Sequence, residues 1–189
     1  FPAIDLHGRV CVDAGASTGG FTAILLERGA VRVFAIDVGY GQLAWSLQQD
    51  PRVVVMDRFN VRHLSATDLD QPADLVVADL SFISLRTVLP ALRASVEPSA
   101  DFVLMVKPQF EVGRERLGKN GVVRDADVRA DAVRGVARSA ADIGLGCAGI
   151  EASPLPGPSG NVEYFLWLRQ DSPPMREDDV ARAVADGPQ

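Results

Sequence analysis

The stretch Val10–Thr22, VCVDAGASTGGFT, decides the fold. An apolar run ends in Asp13, a glycine-containing turn follows, and Phe21, Ile24 and Leu25 open a helical spacing at once. This pattern reads as strand, tight loop and helix start. Gly15 and Gly19 would let the backbone turn sharply and approach a ligand without a Cβ in the way, while the unbonded N–H groups of a helix start face the same point. A purely structural turn would look the same in isolation. What separates the two readings is that the pattern recurs.

Val31–Ile36 is closed by Asp37, Val53–Met56 by Asp57, Leu75–Ala78 by Asp79 and Phe102–Val106 by Lys107. Helix-length segments at Thr22–Arg28, Leu43–Gln49 and Leu85–Val96 alternate with these runs. Continuous apolar strands joined by helical crossovers predict an α/β fold, a parallel sheet with helices on both faces. In open sheets of this kind ligands sit beyond the carboxyl ends of the strands, where the five charged residues would gather.

The 189 residues, 47% of them hydrophobic, suffice for one sizeable core. A single α/β domain is therefore expected. No apolar run approaches the roughly 20 residues of a membrane-spanning helix, so no membrane segment is expected. Cys11 and Cys147 lie inside apolar runs rather than in disulfide or ligand spacing, which reads as a cytoplasmic protein. The first residue is Phe1 rather than Met, and an upstream portion is expected. The net charge of −6 argues against coating nucleic acid by bulk electrostatics. Locally the balance reverses: from Lys107 to Arg124 there are five basic residues (Lys107, Arg114, Arg116, Lys119, Arg124) against Glu111 and Glu115.

That region, Pro108–Arg124, holds Gly113, Gly118 and Gly121 and reads as a long loop, either solvated surface or functional. Ala126–Ile143 reads as a helix with Val128, Ala132, Val133, Val136 and Ala140 on one side, followed by a short strand over Cys147–Ala152. Ser153–Asn161, SPLPGPSGN, reads as a rigid turn, and Glu163–Leu168 as a last strand. Ser172–Gln189 is an acidic tail, with a surface helix over Asp178–Ala185 or frayed chain.

The strand ends suggest a chemistry. Asp37 is placed as a ribose-hydroxyl acceptor, one strand along from the glycine turn, and Asp57 could reach a base edge. The turn has G-x-x-x-G-G rather than the G-x-G-x-x-G of dinucleotide sites, so a smaller adenosine-type cofactor fits better. Asp79, Lys107 and Glu163 would bring two carboxylates and an amine near one point. An ammonium there would hold and stabilise a forming alkoxide. The same three residues could instead be an ion pair bracing adjacent strands.

VDAGASTGGFT, ADLSFISL, VKPQFEVG, GKNGVVRD and SPLPGPSGNVEYFLWL together resemble the TlyA (haemolysin A type) branch of the FtsJ-like RNA 2′-O-methyltransferases, from about Val10 to Arg169. The resemblance implies a class I (Rossmann-like) methyltransferase domain over residues 1–170, with a seven-stranded, mostly parallel sheet whose last strand is antiparallel. Residues 171–189 would be the tail. It also implies S-adenosylmethionine as cofactor and methyl transfer to the ribose 2′-hydroxyl of cytidine in 16S or 23S ribosomal RNA. Asp79, Lys107 and Glu163 match three of the superfamily's four catalytic positions. The first, a lysine, is expected upstream of Phe1, because only His7 and Arg9 stand between Phe1 and Val10, and so is an S4-type RNA-binding domain. The isolated domain would bind cofactor and act weakly or not at all on RNA.

By the same resemblance Gly15, Ala16, Ser17, Thr18 and Gly19 surround the methionine part, with Asp37 at the ribose, Asp57 at the adenine and Asp79 near the sulfonium, and Asp13 is a further cofactor-binding residue. No metal is required. Phe82 reads either as a base-stacking ring or as a core aromatic. Arg114, Arg116 and Lys119 are the expected RNA contacts. The competing readings are a nucleotide-dependent oxidoreductase, a pore-forming haemolysin and a non-catalytic RNA-binding module.

Overall fold

The structure, a computed structural model, describes residues 1–157 and 159–188. Pro158 of the expected turn and Gln189 of the tail lie outside the described residues. In chain order the elements are β1 (Val10–Ala14), α1 (Gly20–Glu27), β2 (Arg32–Ile36), α2 (Trp45–Gln48), β3 (Val53–Met56), β4 (Leu75–Ala78) and α3 (Leu85–Ser95). They continue with β5 (Asp101–Val106), α4 (Pro108–Glu111), α5 (Ala126–Ala141), β6 (Gly146–Ala152), β7 (Tyr164–Arg169) and α6 (Glu177–Asp186). The strands form one seven-stranded sheet in the order β3-β2-β1-β4-β5-β7-β6. β1 pairs in parallel with β2 and with β4, β2 pairs in parallel with β3, and β7 runs antiparallel to β6. The alternating pattern of the sequence is thus realised as a mixed sheet with an antiparallel last pair.

Two compact units make up the chain, one of Phe1–Asp79 with Val88–Phe102, the other of Leu80–Thr87 with Val103–Gln189. In the first, Cys11, Val12, Val33, Phe34, Leu75 and Val76 are buried. Strands apolar on both faces need cover on both faces, which is why these runs do not alternate. Arg9 staples the leading segment to the amino ends of the strands: it donates to the Asp74 carbonyl at 3.0 Å and to Asp101 Oδ2 at 3.0 Å.

In the second unit β7 alternates, with Tyr164, Leu166 and Leu168 fully buried. The helix α5 begins at Asp125, whose Oδ1 accepts from the backbone N–H of Asp127 at 2.8 Å and of Val128 at 3.3 Å, an N-cap that satisfies two otherwise unbonded donors. The tail does form a helix, α6, because Val180, Ala183 and Val184 are buried on one side and Arg134 pairs with Glu177.

Two expectations change. Leu43–Gln49 is helical only over Trp45–Gln48, because Leu43 packs with Ala16 and Ala35 and its carbonyl accepts from Gln48 Nε2. Pro108–Arg124 is not a structureless loop. It holds α4 and 3₁₀ turns at Arg114–Arg116 and Lys119–Gly121, and Asn161 fastens it by accepting from Val123 N–H at 2.9 Å and donating to the Gly121 carbonyl at 3.2 Å.

Candidate functional site

At the carboxyl end of β1 the chain leaves the sheet through positive φ at Gly15 (+86°), Ser17 (+49°) and Gly19 (+99°). Gly15 and Ala16 both donate to the Ile36 carbonyl, at 2.8 and 3.1 Å, so the turn folds over the end of β2. A Cβ on Gly19 would meet Leu47 Cδ1, and the positive φ there is one that L side chains rarely adopt, so the position favours glycine. Beneath the turn Ala16, Ala35 and Leu43 form a small apolar pad with Leu47 and Val53. Ser17 and Thr18 are exposed above it.

Carboxylates ring this turn. Asp37 Oδ2 accepts from Ser17 N–H at 2.9 Å and its Oδ1 from Gly39 N–H at 2.7 Å. Asp57 Oδ2 accepts from Gly41 N–H at 2.9 Å. Asp79 donates its backbone N–H to the Ala14 carbonyl at 3.0 Å, which sets it beside the turn. Gly15, Ala16, Ser17, Thr18, Gly19, Asp37, Asp57 and Asp79 are therefore gathered at the carboxyl ends of β1 to β4.

Asp13 departs from its expected place. It has no accessible surface, so it cannot touch a ligand directly. Its Oδ2 accepts from Thr22 Oγ1 at 2.6 Å, and its Oδ1 is buried without a hydrogen-bond partner. Burial raises its carboxyl from 3.8 to about 6 against the hydrogen bonds from Thr22, and the charges of Asp79 and Asp37 add to the rise. Asp13 thus supports the turn and the first residues of α1 from below.

In the second unit Lys107 closes β5 and precedes α4, with Nζ donating to Ser81 Oγ at 3.3 Å. Glu163, immediately before β7, is buried, and its carbonyl accepts from Ser153 N–H at 2.8 Å. A Cβ on Gly157 would lie 2.6 Å from Glu163 Oε1, so the Pro/Gly-rich turn approaches that carboxylate through a glycine. Phe82 is 92% exposed at φ +65°, with its ring centroid 5.2 Å from that of Phe110. The core-aromatic reading of Phe82 is excluded. Arg114, Arg116 and Lys119 are all exposed, and Arg116 also donates to Asp131 Oδ2 on α5 at 2.7 Å.

Two residues escaped the sequence reading. Asn161 looked like one more turn residue, and Glu111 like one charge in a loop. Glu111 accepts from Ser84 Oγ at 2.6 Å and from Leu85 N–H at 2.7 Å. Both act across more than 25 residues, and no local spacing signals such a bond.

The FtsJ-like methyltransferase family matches residues 1–170. The chain belongs to the FtsJ-like methyltransferase family. Among relatives of this FtsJ-like chain is the 16S/23S rRNA (cytidine-2′-O)-methyltransferase TlyA of Mycobacterium tuberculosis, 59% identical over 98% of the chain and 71% of the relative. A solved structure from Streptococcus thermophilus, described as a candidate hemolysin, superposes with TM-score 0.90 at 38% identity, over 97% of this chain and 69% of that one. An S-adenosylmethionine dependent methyltransferase from Mesorhizobium loti shares the fold at TM-score 0.62 and 15% identity, over 89% and 94% of the two chains.

The donor set fits the cofactor of that fold. Carboxylates at Asp37, Asp57 and Asp79 can accept from hydroxyls and amines and favour a nearby cation. Among the described residues no helix is long and apolar enough to cross a membrane, and no group of three His, Cys, Asp or Glu is arranged to hold a metal ion.

Proposed function

We propose that this FtsJ-like chain methylates the ribose 2′-hydroxyl of cytidine in ribosomal RNA, 16S, 23S or both, with S-adenosylmethionine as methyl donor, in the cytoplasm where ribosomal subunits are found. The observation that carries the reading is the 59% identity to a protein of that activity over 98% of the chain. The carboxylate-ringed glycine turn supports the cofactor assignment independently.

In this reading Gly15, Ala16, Ser17, Thr18 and Gly19 accommodate the methionine part of the cofactor. Asp37 accepts from the ribose hydroxyls, Asp57 from the adenine amine, and Asp79 lies toward the sulfonium. When bound, S-adenosylmethionine supplies an electrophilic methyl group. The chain's own work is positional: an in-line displacement gains most from holding the two reacting atoms in reach. Lys107, as an ammonium, holds the attacking hydroxyl and stabilises the alkoxide that develops as the O–CH3 bond forms, while the hydroxyl proton passes to a carboxylate, Asp79 or Glu163, and from there to water. Phe82, an exposed aromatic ring, offers a face on which an unstacked base can lie. Arg114, Arg116 and Lys119 contact phosphates, and the bond from Arg116 to Asp131 helps to order their segment. By itself the 189-residue chain binds cofactor and acts weakly or not at all on RNA.

The test uses the full-length protein, unmodified ribosomal subunits and isotopically labelled S-adenosylmethionine, with mass mapping of the RNA. The expected result is one labelled methyl on a cytidine ribose, lost in Lys107→Ala while cofactor affinity changes less than about threefold. Label on a base, or undiminished label with Lys107→Ala, overturns the reading. Leakage of dye-loaded liposomes without methyl transfer would instead support the haemolysin reading.

A further inference from the structure

We infer that Glu111 is a positioning residue for the transfer step, a buried carboxylate that fixes the turn carrying Ser81 and Phe82 against the segment carrying Lys107 and Phe110. The inference rests on the proposed function, since Lys107 and Phe82 have their roles there.

Lys107 and Glu111 bracket the single turn of α4, so the position of one end dictates that of the other. The Glu111 side chain is only 2% exposed. Its Oε2 accepts from Ser84 Oγ at 2.6 Å, its Oε1 from Leu85 N–H at 2.7 Å, and Arg86 Nε lies 3.4 Å from Oε2. Arg86 Nη2 also donates to the Glu111 carbonyl at 2.7 Å. Both oxygens are thus spent on one short stretch, Ser84–Arg86.

Starting helix α3 does not explain this arrangement. Ser84 Oγ already accepts from Arg86 N–H at 3.2 Å, a local cap of the kind that opens helices without remote help. Burying a carboxylate is unfavourable unless its bonds are all made, and burial raises the Glu111 carboxyl against the bonds from Ser84, Leu85 and Arg86. What the remote carboxylate adds is register between two segments 26 residues apart. Those segments make two more contacts, Lys107 Nζ to Ser81 Oγ at 3.3 Å and the Phe82–Phe110 ring pair at 5.2 Å. The amine assigned to the sugar oxygen and the ring assigned to the base therefore share one brace. None of its bonds reaches the glycine turn, so cofactor binding should be indifferent to it.

The experiment compares Glu111→Gln, Ser84→Ala and Lys107→Ala in the full-length protein, reading kcat and KM for RNA, the Kd for S-adenosylhomocysteine and the melting temperature. Glu111→Gln keeps the shape but loses the charge that accepts from Ser84 and faces Arg86. Its kcat is expected to fall about tenfold or more, with a raised KM for RNA and a Kd within about twofold of the parent. Ser84→Ala removes one of the bonds and should shift kcat the same way by about threefold, which keeps the question open to refutation if Glu111→Gln folds poorly. Normal kcat in both variants, or a fall in kcat that tracks cofactor affinity and melting temperature, overturns the inference. An inactive Lys107→Ala beside a normal Glu111→Gln defeats this inference alone, whereas an active Lys107→Ala defeats the proposed function and this inference with it.

Discussion

Asp37 Oδ2 accepts the backbone N–H of Ser17 at 2.9 Å, a bond that joins the end of β2 to the crest of the glycine turn. The turn's shape and the placement of the Asp37 carboxylate are therefore one structural fact. Removing the carboxylate with Asp37→Ala loses the brace on Ser17 and, in the proposed function, the ribose acceptor as well. Since a hydrogen bond to a charged group is worth about 1.5–3 kcal/mol, the Kd for S-adenosylhomocysteine should rise about 10- to 100-fold. Isothermal titration reads this directly, and an unchanged Kd would remove Asp37 from the cofactor site.

Gly19 occupies φ +99° directly before α1, and a Cβ there would meet Leu47 Cδ1. Leu47 can rotate away, but the backbone conformation cannot be relieved so cheaply. Gly19→Ala should lose about 1–3 kcal/mol of stability. For a chain of this size that is a fall in Tm of several degrees, roughly 2–4 °C for each kcal/mol. Calorimetry showing no fall would mean that the turn relaxes without strain.

Asp13 gives a pH signature. Its folded-state value is raised to about 6 from 3.8, so the folded protein holds this proton more tightly than the unfolded chain between those values. Stability from this group is complete below about pH 4 and is lost as pH rises through about 6. The loss amounts to about 3 kcal/mol at pH 7. Asp13→Asn, which never ionises, should therefore gain on the parent by up to that amount between pH 4 and pH 7. Urea unfolding of both proteins at the two pH values measures the gain, and an equal difference at both would refute the assignment.

Asn161 bridges Val123 N–H and the Gly121 carbonyl from a buried position. Asn161→Ala leaves both backbone groups without that partner, at about 1–3 kcal/mol each where they stay dry. The released segment carries Arg114, Arg116 and Lys119, so trypsin should cut there several-fold faster than in the parent. Unchanged cleavage would show that the segment is held by other means.

The parallel part of the sheet was legible because each strand is a continuous apolar run with a charged residue at its end, and burial on both faces imposes that composition. The glycine turn was legible because only certain residues tolerate its backbone. α6 was legible in part: the acidic tail with Val180, Ala183 and Val184 allowed a helix but could not say that a buried face would hold it.

The strand-end series Asp13, Asp37, Asp57, Asp79 and Lys107 could be read from residue order alone, since periodicity and short-range sterics are written in adjacent residues, and the family could be read from the resemblance of motifs such as VDAGASTGGFT and VKPQFEVG. Only the tertiary structure shows that Asp13 is buried beside Thr22, that Arg116 pairs with Asp131, that Phe82 stands exposed and that Glu111 and Asn161 bond to distant segments. Those outcomes depend on which groups lose their water on folding, and desolvation is set by neighbours brought from far along the chain.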